Sequence, residues 1–114
     1  MHLVLTHNKK IAEIIAIINQ ELDKLIINLP NLIKQNTAYN LKVKKIIKSW
    51  LDQTLIFSFT LSLNVFNFKI KGNIRIEDDQ IVLDGKLPKE LNFFVQEEII
   101  KELILNNFFL ILNK

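Results

Sequence analysis

Cysteine is absent from this chain of 114 residues. Without a thiol there can be no disulfide framework, no thiolate metal site and no cysteine nucleophile. Glycine and proline are also rare, with two of each, which excludes a glycine-rich phosphate-binding loop and predicts few loops. No apolar run approaches the roughly 20 residues that a membrane span needs, and the amino terminus does not resemble a signal peptide. We therefore expect a soluble protein of the cytoplasm.

The residues that are present make an apolar and weakly basic chain. Hydrophobic residues account for 49% of the sequence and the formal net charge is +3. This apolar fraction argues against a disordered chain. The length suits one domain with one core, so we expect a single domain over residues 1–114.

Groups that could support catalysis or bind a metal are few. His2 and His7 fall on opposite sides of a short predicted strand, and no neighbouring ligands indicate a metal site. Asp78 and Asp79 are adjacent carboxylates in a predicted hairpin tip, where aspartate is favoured because its side chain satisfies local backbone groups. A serine–histidine–aspartate triad would have to use a terminal histidine. We therefore expect no enzyme activity, no catalytic residues, no metal and no cofactor.

The charges are segregated along the chain. Nine basic residues and one acid lie between Lys24 and Arg75, whereas eight acids and three lysines lie between Glu77 and Glu102. Such polarity can steer an anionic partner toward the basic part. It is also compatible with two solvated faces that complement each other across an oligomer.

The first third predicts a strand followed by an amphipathic helix. His2–Thr6 is a short apolar run of the strand type, and Asn8 is a candidate helix cap. The helix is expected to end before Pro30, because the proline ring disfavours helical geometry in the preceding residue. The polar segment 31–40 then predicts a turn. The apolar positions at helical spacing are Ile11, Ile14, Ile15, Ile18, Leu22, Leu25 and Ile26.

The middle of the chain predicts strands. Residues 42–51 fit either a helix or a strand. From Leu55 to Leu63 every second residue is apolar, which predicts a strand with one buried face. From Phe66 to Ile76 the apolar positions become the even ones. One extra residue near Asn64–Val65 must therefore be absorbed by a bulge or a bend.

The stretch Gly72–Pro88 predicts a hairpin that leads directly into a helix. Asp78-Asp79-Gln80 forms the turn between two apolar runs. Gly85 is expected to end the second strand. Pro88 fits the first turn of a helix, where its missing N–H is harmless.

The last helix is predicted over Pro88–Leu112, with Glu97 and Lys101 paired on its polar face. Its apolar face is broader than a helix packed on one sheet needs. The surplus predicts cover for a sheet edge or contact with a second copy of the chain. The apolar residues are Leu91, Phe94, Val95, Ile99, Leu103 and Leu110, flanked by Phe93, Ile100, Ile104, Phe108 and Ile111.

The element order is therefore β-α-β-β-β(-β)-α. Helices on one face of an antiparallel sheet make an α+β domain. We expect this architecture for the whole chain.

Residues of the second half resemble a known family. The pattern is Trp50, Asp52, Leu55 and Phe57, then Gly72-x-Ile74-x-Ile76, Asp78-Asp79, Ile81-x-Leu83, Leu87-Pro88 and a final Leu112-Asn113-Lys114. It is similar to the polyhydroxyalkanoic acid system family, small bacterial proteins associated with polyester storage granules. The resemblance covers nearly the whole chain and favours a strand at residues 42–51. It implies a hydrophobic granule surface or another protein as partner, and it carries over no catalytic group.

Two sets of residues are candidate contact surfaces. Four phenylalanines of the last helix could bind a granule or lipid surface, or form core and homodimer interface: Phe93, Phe94, Phe108 and Phe109. A basic stripe could bind an anionic partner such as RNA through its phosphates: Lys42, Lys44, Lys45, Lys48, Lys69, Lys71 and Arg75.

The sequence thus predicts a non-catalytic binding or scaffold protein. The alternatives are an RNA- or ribosome-associated factor that uses the basic stripe, and a small carrier with a hydrophobic ligand between the helices and the phenylalanine-rich sheet.

Overall fold

The structure, a computed structural model, describes residues 1–34 and 39–113. It confirms the α+β fold: within these residues, five antiparallel strands form one sheet in the order β1-β5-β4-β3-β2, with two α-helices on one face. Residues 42–51 are a strand. The elements are β1 (His2–Thr6), α1 (Ile11–Lys34), β2 (Lys42–Leu51), β3 (Thr54–Leu63), β4 (Phe66–Ile76), β5 (Gln80–Lys86), a 3-10 turn (Lys89–Phe93) and α2 (Glu97–Leu112).

Helix α1 continues through Pro30, where the sequence predicted its end. The apolar stripe continues as well, because Leu29 and Ile33 on either side of the proline are buried. Burial of each such side chain contributes roughly 1.5–3 kcal/mol, which offsets the cost of about 3 kcal/mol for proline inside a helix. The prediction was wrong because it considered the local backbone and not the packing of the next turn.

Both ends of α1 differ from the prediction. The N–H groups of Glu13 and Ile14 donate to the carbonyl of Lys10, so the helix begins at Ile11, two residues later than a cap at Asn8 requires. The predicted turn over 31–40 is helical as far as Lys34. Residues 35–38 of that turn lie outside the described residues.

The change of parity between β3 and β4 is a hairpin. Leu63 pairs with Phe66, so Asn64 and Val65 form a two-residue turn, and Asn64 has a φ of 54° that asparagine tolerates. Because the chain reverses, odd positions of β3 and even positions of β4 face the same side. A bulge is present instead in β2, between Lys44 and Ile47.

Gly85 lies inside β5, which continues to Lys86, so the prediction that Gly85 ends the strand was wrong. Gly85 pairs directly with Gly72 of β4. A Cβ at Gly72 would lie 2.7 Å from Cζ of Phe57, and one at Gly85 would lie 2.8 Å from Cε of Met1. These glycines provide room for neighbouring side chains rather than a turn.

The predicted helix over Pro88–Leu112 is two separate helices. The 3-10 turn ends at Phe93, and Gln96 is extended, with a ψ of 139°, before α2 begins at Glu97. Oδ1 of Asn92 accepts a hydrogen bond of 3.1 Å from the N–H of Glu97. This bond satisfies one of the free N–H groups at the start of α2.

The break changes which side of α2 is buried. The buried residues are Ile100, Phe108 and Leu112, whereas Leu110 of the predicted stripe is 65% exposed. Glu97 does not pair with Lys101; its Oε1 lies 3.5 Å from the amino-terminal nitrogen of Met1.

The core fills the space between the helices and one face of the sheet. Strand β3 contributes its odd positions, β4 its even positions, and α1 a continuous stripe; typical members are Leu55, Phe57, Phe59, Leu61, Phe68, Ile70, Ile74, Ile14, Ile18, Leu22 and Ile26. Both helices pack on this face. The opposite face of the sheet, termed the open face, is covered by no described element.

Candidate functional site

The open face carries the centre of the predicted basic stripe. Antiparallel pairing sets its side chains in rows across the strands. The three rows nearest the β3–β4 turn contain five lysines and no carboxylate. They are Lys42, Ser62 and Asn67; then Lys44, Thr60 and Lys69; then Ile47, Ser58, Lys71 and Lys86. All five lysines are exposed, and together they are termed the lysine half-face.

The other three cations of the stripe lie elsewhere. Lys48 faces the helices, with Nζ 2.8 Å from Oδ1 of Asp23 in an ion pair that lacks good hydrogen-bond geometry. Arg75 lies two rows beyond the lysine half-face, and its Nε is 3.5 Å from Oε1 of Glu77. Lys45 is at the β2 bulge. The sequence grouped these cations with the others because they are close along the chain.

Lys86 belongs to the lysine half-face and was missed by sequence reasoning, which ended the strand at Gly85. It lies directly opposite Lys71. Like charges at directly paired positions destabilise a sheet, typically by a few tenths to about 1 kcal/mol. The predicted hairpin of Gly72–Pro88 could have indicated this pair. In a register that pairs Gly72 with Gly85, Lys71 is paired with Lys86.

The far half of the open face has mixed charge. Oδ1 of Asp84 contacts Nδ1 of His2, and Glu77 contacts Arg75. The open face is therefore polarised along its strands, with positive charge near the β3–β4 turn and paired charges near the β4–β5 turn.

Among residues 1–34 and 39–113, no phenylalanine, tyrosine or tryptophan side chain lies on the open face, and the imidazole of His2 at its far edge contacts Asp84. Trp50 faces the helices, where its Nε1 donates a hydrogen bond of 2.7 Å to Oδ1 of Asn19. The phenylalanines of β3 are in the core. The open face therefore lacks the aromatic platform on which single-stranded nucleic acids stack their bases.

Apolar residues are exposed at the end of the sheet next to the lysine half-face. The ring of Phe94 lies 5.4 Å from Tyr39 and 5.5 Å from Phe66, between ring centroids. Around it Tyr39 is 39%, Phe66 51%, Val65 85% and the adjacent Phe93 84% exposed. These four exposed residues, from three segments of the chain, are termed the apolar tip.

The four predicted phenylalanines do not form one surface. Phe108 is a core residue, 3% exposed, and Phe94 is half-buried beneath the apolar tip. Phe93 and Phe109 are exposed but far apart, because Phe93 ends the 3-10 turn before α2 and Phe109 lies near the end of α2. Sequence reasoning missed Val65, although an apolar residue in a two-residue turn is unusual enough to indicate it.

The space between the helices and the sheet is too small for a ligand. The apolar cavity there has a volume of about 30 Å³, which is room for about one or two water molecules. Its lining includes Leu22, Phe57, Phe59 and Phe108. The geometry therefore gives no support to the alternative of a hydrophobic-ligand carrier.

The two histidines make local structural contacts. Nε2 of His7 lies 2.7 Å from the carbonyl of Glu77, and its Nδ1 accepts a hydrogen bond of 3.1 Å from the N–H of Lys9. The contact of Nε2 therefore holds the end of β1 beside the β4–β5 turn, whereas Nδ1 is used within the loop that follows β1. Among the described residues, no three or more His, Cys, Asp or Glu side chains are grouped so that they could hold a metal ion.

None of the described helices combines the length and the apolar character needed to cross a membrane.

Comparisons with known proteins give no relative: no family model, no curated protein and no solved structure matches this chain. The resemblance to the polyhydroxyalkanoic acid system family stays a prediction.

Proposed function

We propose that this chain is a non-catalytic binding protein that attaches to an anionic lipid surface through its apolar tip. The observation that carries the proposal is the exposure of Val65 and Phe93, 85% and 84%, beside a group of lysines. Clustered apolar side chains with a polar rim mark interaction sites on protein surfaces. Positive charge beside them favours an anionic surface over a neutral one.

The lysines lie at depths that suit such an attachment. At about 3.4 Å per residue, Lys42 is one residue from the Leu63–Phe66 pair, about 3 Å along the strands, and Lys44 and Lys69 are about 10 Å away. An interfacial element typically buries its apolar side about 5–10 Å into the boundary between headgroups and acyl chains. These three lysines would then lie among the lipid phosphates, where each contributes about 1 kcal/mol.

The family resemblance supports the same kind of partner. The resemblance implied a hydrophobic granule surface as partner. The residues of the apolar tip lie closer together than the four phenylalanines named from the sequence, so the tip is better suited to contact such a surface. Self-association through the phenylalanines of the last predicted helix stays a separate prediction; among them Phe109 is 61% exposed, next to Leu110 at 65%.

Vesicle co-sedimentation tests the proposal. The wild-type protein should bind mixed phosphatidylcholine–phosphatidylglycerol vesicles and bind pure phosphatidylcholine more weakly. Val65→Ser and Phe93→Ser should each weaken binding by roughly tenfold, because each loses about 1.5 kcal/mol or more of apolar burial. Both residues are almost fully exposed, so the fold should be unaffected. Leu110→Ser is the matched control, since it removes an exposed apolar residue far from the tip.

Two results would contradict the proposal. One is equal vesicle binding by the wild type, Val65→Ser and Phe93→Ser. The other is binding of an RNA duplex with no binding of vesicles, which would put the RNA- or ribosome-associated alternative in its place.

A further inference from the structure

We infer that the open face holds a separate binding site for a phosphate group, centred on Lys71 and Lys86. The two lysines line a shallow depression whose polar lining also includes Lys69, Ser58 and Asn73. This inference does not depend on lipid attachment, because Lys71 and Lys86 take no part in it, although Lys69 belongs to both sets of residues. At about 3.4 Å per residue, Lys71 lies about 17 Å along β4 from Phe66, beyond the reach of headgroups around the apolar tip.

The lysines of the depression have no anionic partner among the described residues. Lys69, Lys71 and Lys86 form no ion pair with any carboxylate of the described residues. Asp84 also lines the depression, but it lies one row away and contacts His2. Lys71 and Lys86 are directly paired, so their Cβ atoms are about 4.5–5.5 Å apart and their charges repel. An anion between the two ammonium groups would convert this repulsion into attraction.

The donor set fits phosphate better than a carboxylate. Lysine binds phosphate as a point charge, and three lysines exceed the single charge of a carboxylate. The hydroxyl of Ser58 and the amide of Asn73, on adjacent rows of the same depression, are further donors for a group with several oxygens. Because no described phenylalanine, tyrosine or tryptophan lies on the open face to stack on a base, recognition rests on the phosphate alone. The source is either a small phosphorylated molecule or the backbone of a nucleic acid.

Thermal unfolding with inorganic phosphate or pyrophosphate, at an ionic strength matched with sodium chloride, tests the site. At about ten times the dissociation constant, the anion should raise the Tm of the wild type by roughly 4–8 °C. Lys86→Glu should have a higher Tm than the wild type without the anion, because the introduced carboxylate would pair with Lys71, and should show no further rise with it. Lys89→Glu makes the same charge change at an exposed position off the sheet and should respond to the anion like the wild type.

Fluorescence anisotropy with a labelled RNA duplex separates the two sources. Binding that is lost in Lys71→Gln and Lys86→Gln assigns the site to backbone phosphates, and a Tm response without duplex binding assigns it to a small phosphorylated molecule. An equal Tm rise in the wild type and Lys86→Glu, or no rise together with no duplex binding, would overturn the inference. Val65→Ser and Phe93→Ser should leave all of these responses unchanged, so the lipid proposal and the phosphate site fail independently.

Discussion

The paired glycines of the sheet, Gly72 and Gly85, differ in how much space each leaves for a side chain, although neither has a positive φ. A methyl group at Gly72 would lie 2.7 Å from Cζ of Phe57 and 2.8 Å from the backbone oxygen of Asp84. The ring is packed in the core and the backbone oxygen is fixed in β5. At Gly85 the only close atom is Cε of Met1 at 2.8 Å, the end of a flexible side chain, and the next is 3.9 Å away.

These contacts set the expected free energies of unfolding. Overpacking typically lowers the free energy of unfolding by about 1–3 kcal/mol. Replacing glycine by alanine also reduces the entropy of the unfolded chain, which raises the free energy of unfolding by about 0.4–1 kcal/mol. Gly72→Ala should therefore lower the free energy of unfolding by about 1–2 kcal/mol. Gly85→Ala should change it by less than about 0.5 kcal/mol, because the entropy gain nearly cancels the small shift of Met1.

Urea titration followed by the fluorescence of Trp50, the single tryptophan, measures both changes. The midpoint should fall clearly for Gly72→Ala and barely move for Gly85→Ala, with the slope m the same for both variants and the wild type. Phe57→Leu in the Gly72→Ala background should recover only part of the loss, because the contact with the oxygen of Asp84 remains. Equal midpoints for the two alanine variants would refute the steric reasoning.

Two further changes in stability follow from the helices. Pro30→Ala should raise the free energy of unfolding by about 1–3 kcal/mol, because it restores a helical N–H without removing the burial of Ile33; a lower Tm in differential scanning calorimetry would show that α1 does not continue through this position. Phe108→Ala should lower the free energy of unfolding by about 3–5 kcal/mol, whereas Phe109→Ala, one position along α2, should change it by less than about 0.5 kcal/mol. Chemical denaturation of the pair checks this contrast, and similar losses would contradict the assigned face of α2.

Strands β3 and β4 were predictable because the period of their own residues decides them, whereas the pattern of β2, interrupted by its bulge, also fitted a helix. Leu55, Phe57 and Phe59 alternate with polar residues, and no distant contact is needed to assign their common face. The end of α1 was not predictable in this way. Whether a helix continues through Pro30 depends on what Leu29 and Ile33 pack against, which is a property of the assembled core.

The candidate sites depend on longer-range information. Lys71 and Lys86 are 15 residues apart in sequence, and only the register of β4 against β5 brings them together. Phe66 has the alternation of a core residue, yet it is 51% exposed, whereas Leu63, its partner in the last pair of the β3–β4 hairpin, is buried. A sequence pattern specifies which face of the sheet a residue is on, but not how much of that face the helices cover.

The bulge in β2 has a consequence for how the protein behaves at high concentration. Strand β2 is an edge of the sheet, and a flat edge of ten residues would offer its free backbone groups to another chain. Lys45, with a φ of 55° at the bulge, interrupts the regular ladder and adds a charge there. The opposite edge, β1, has only five residues. Both edges are therefore poor templates for fibril growth.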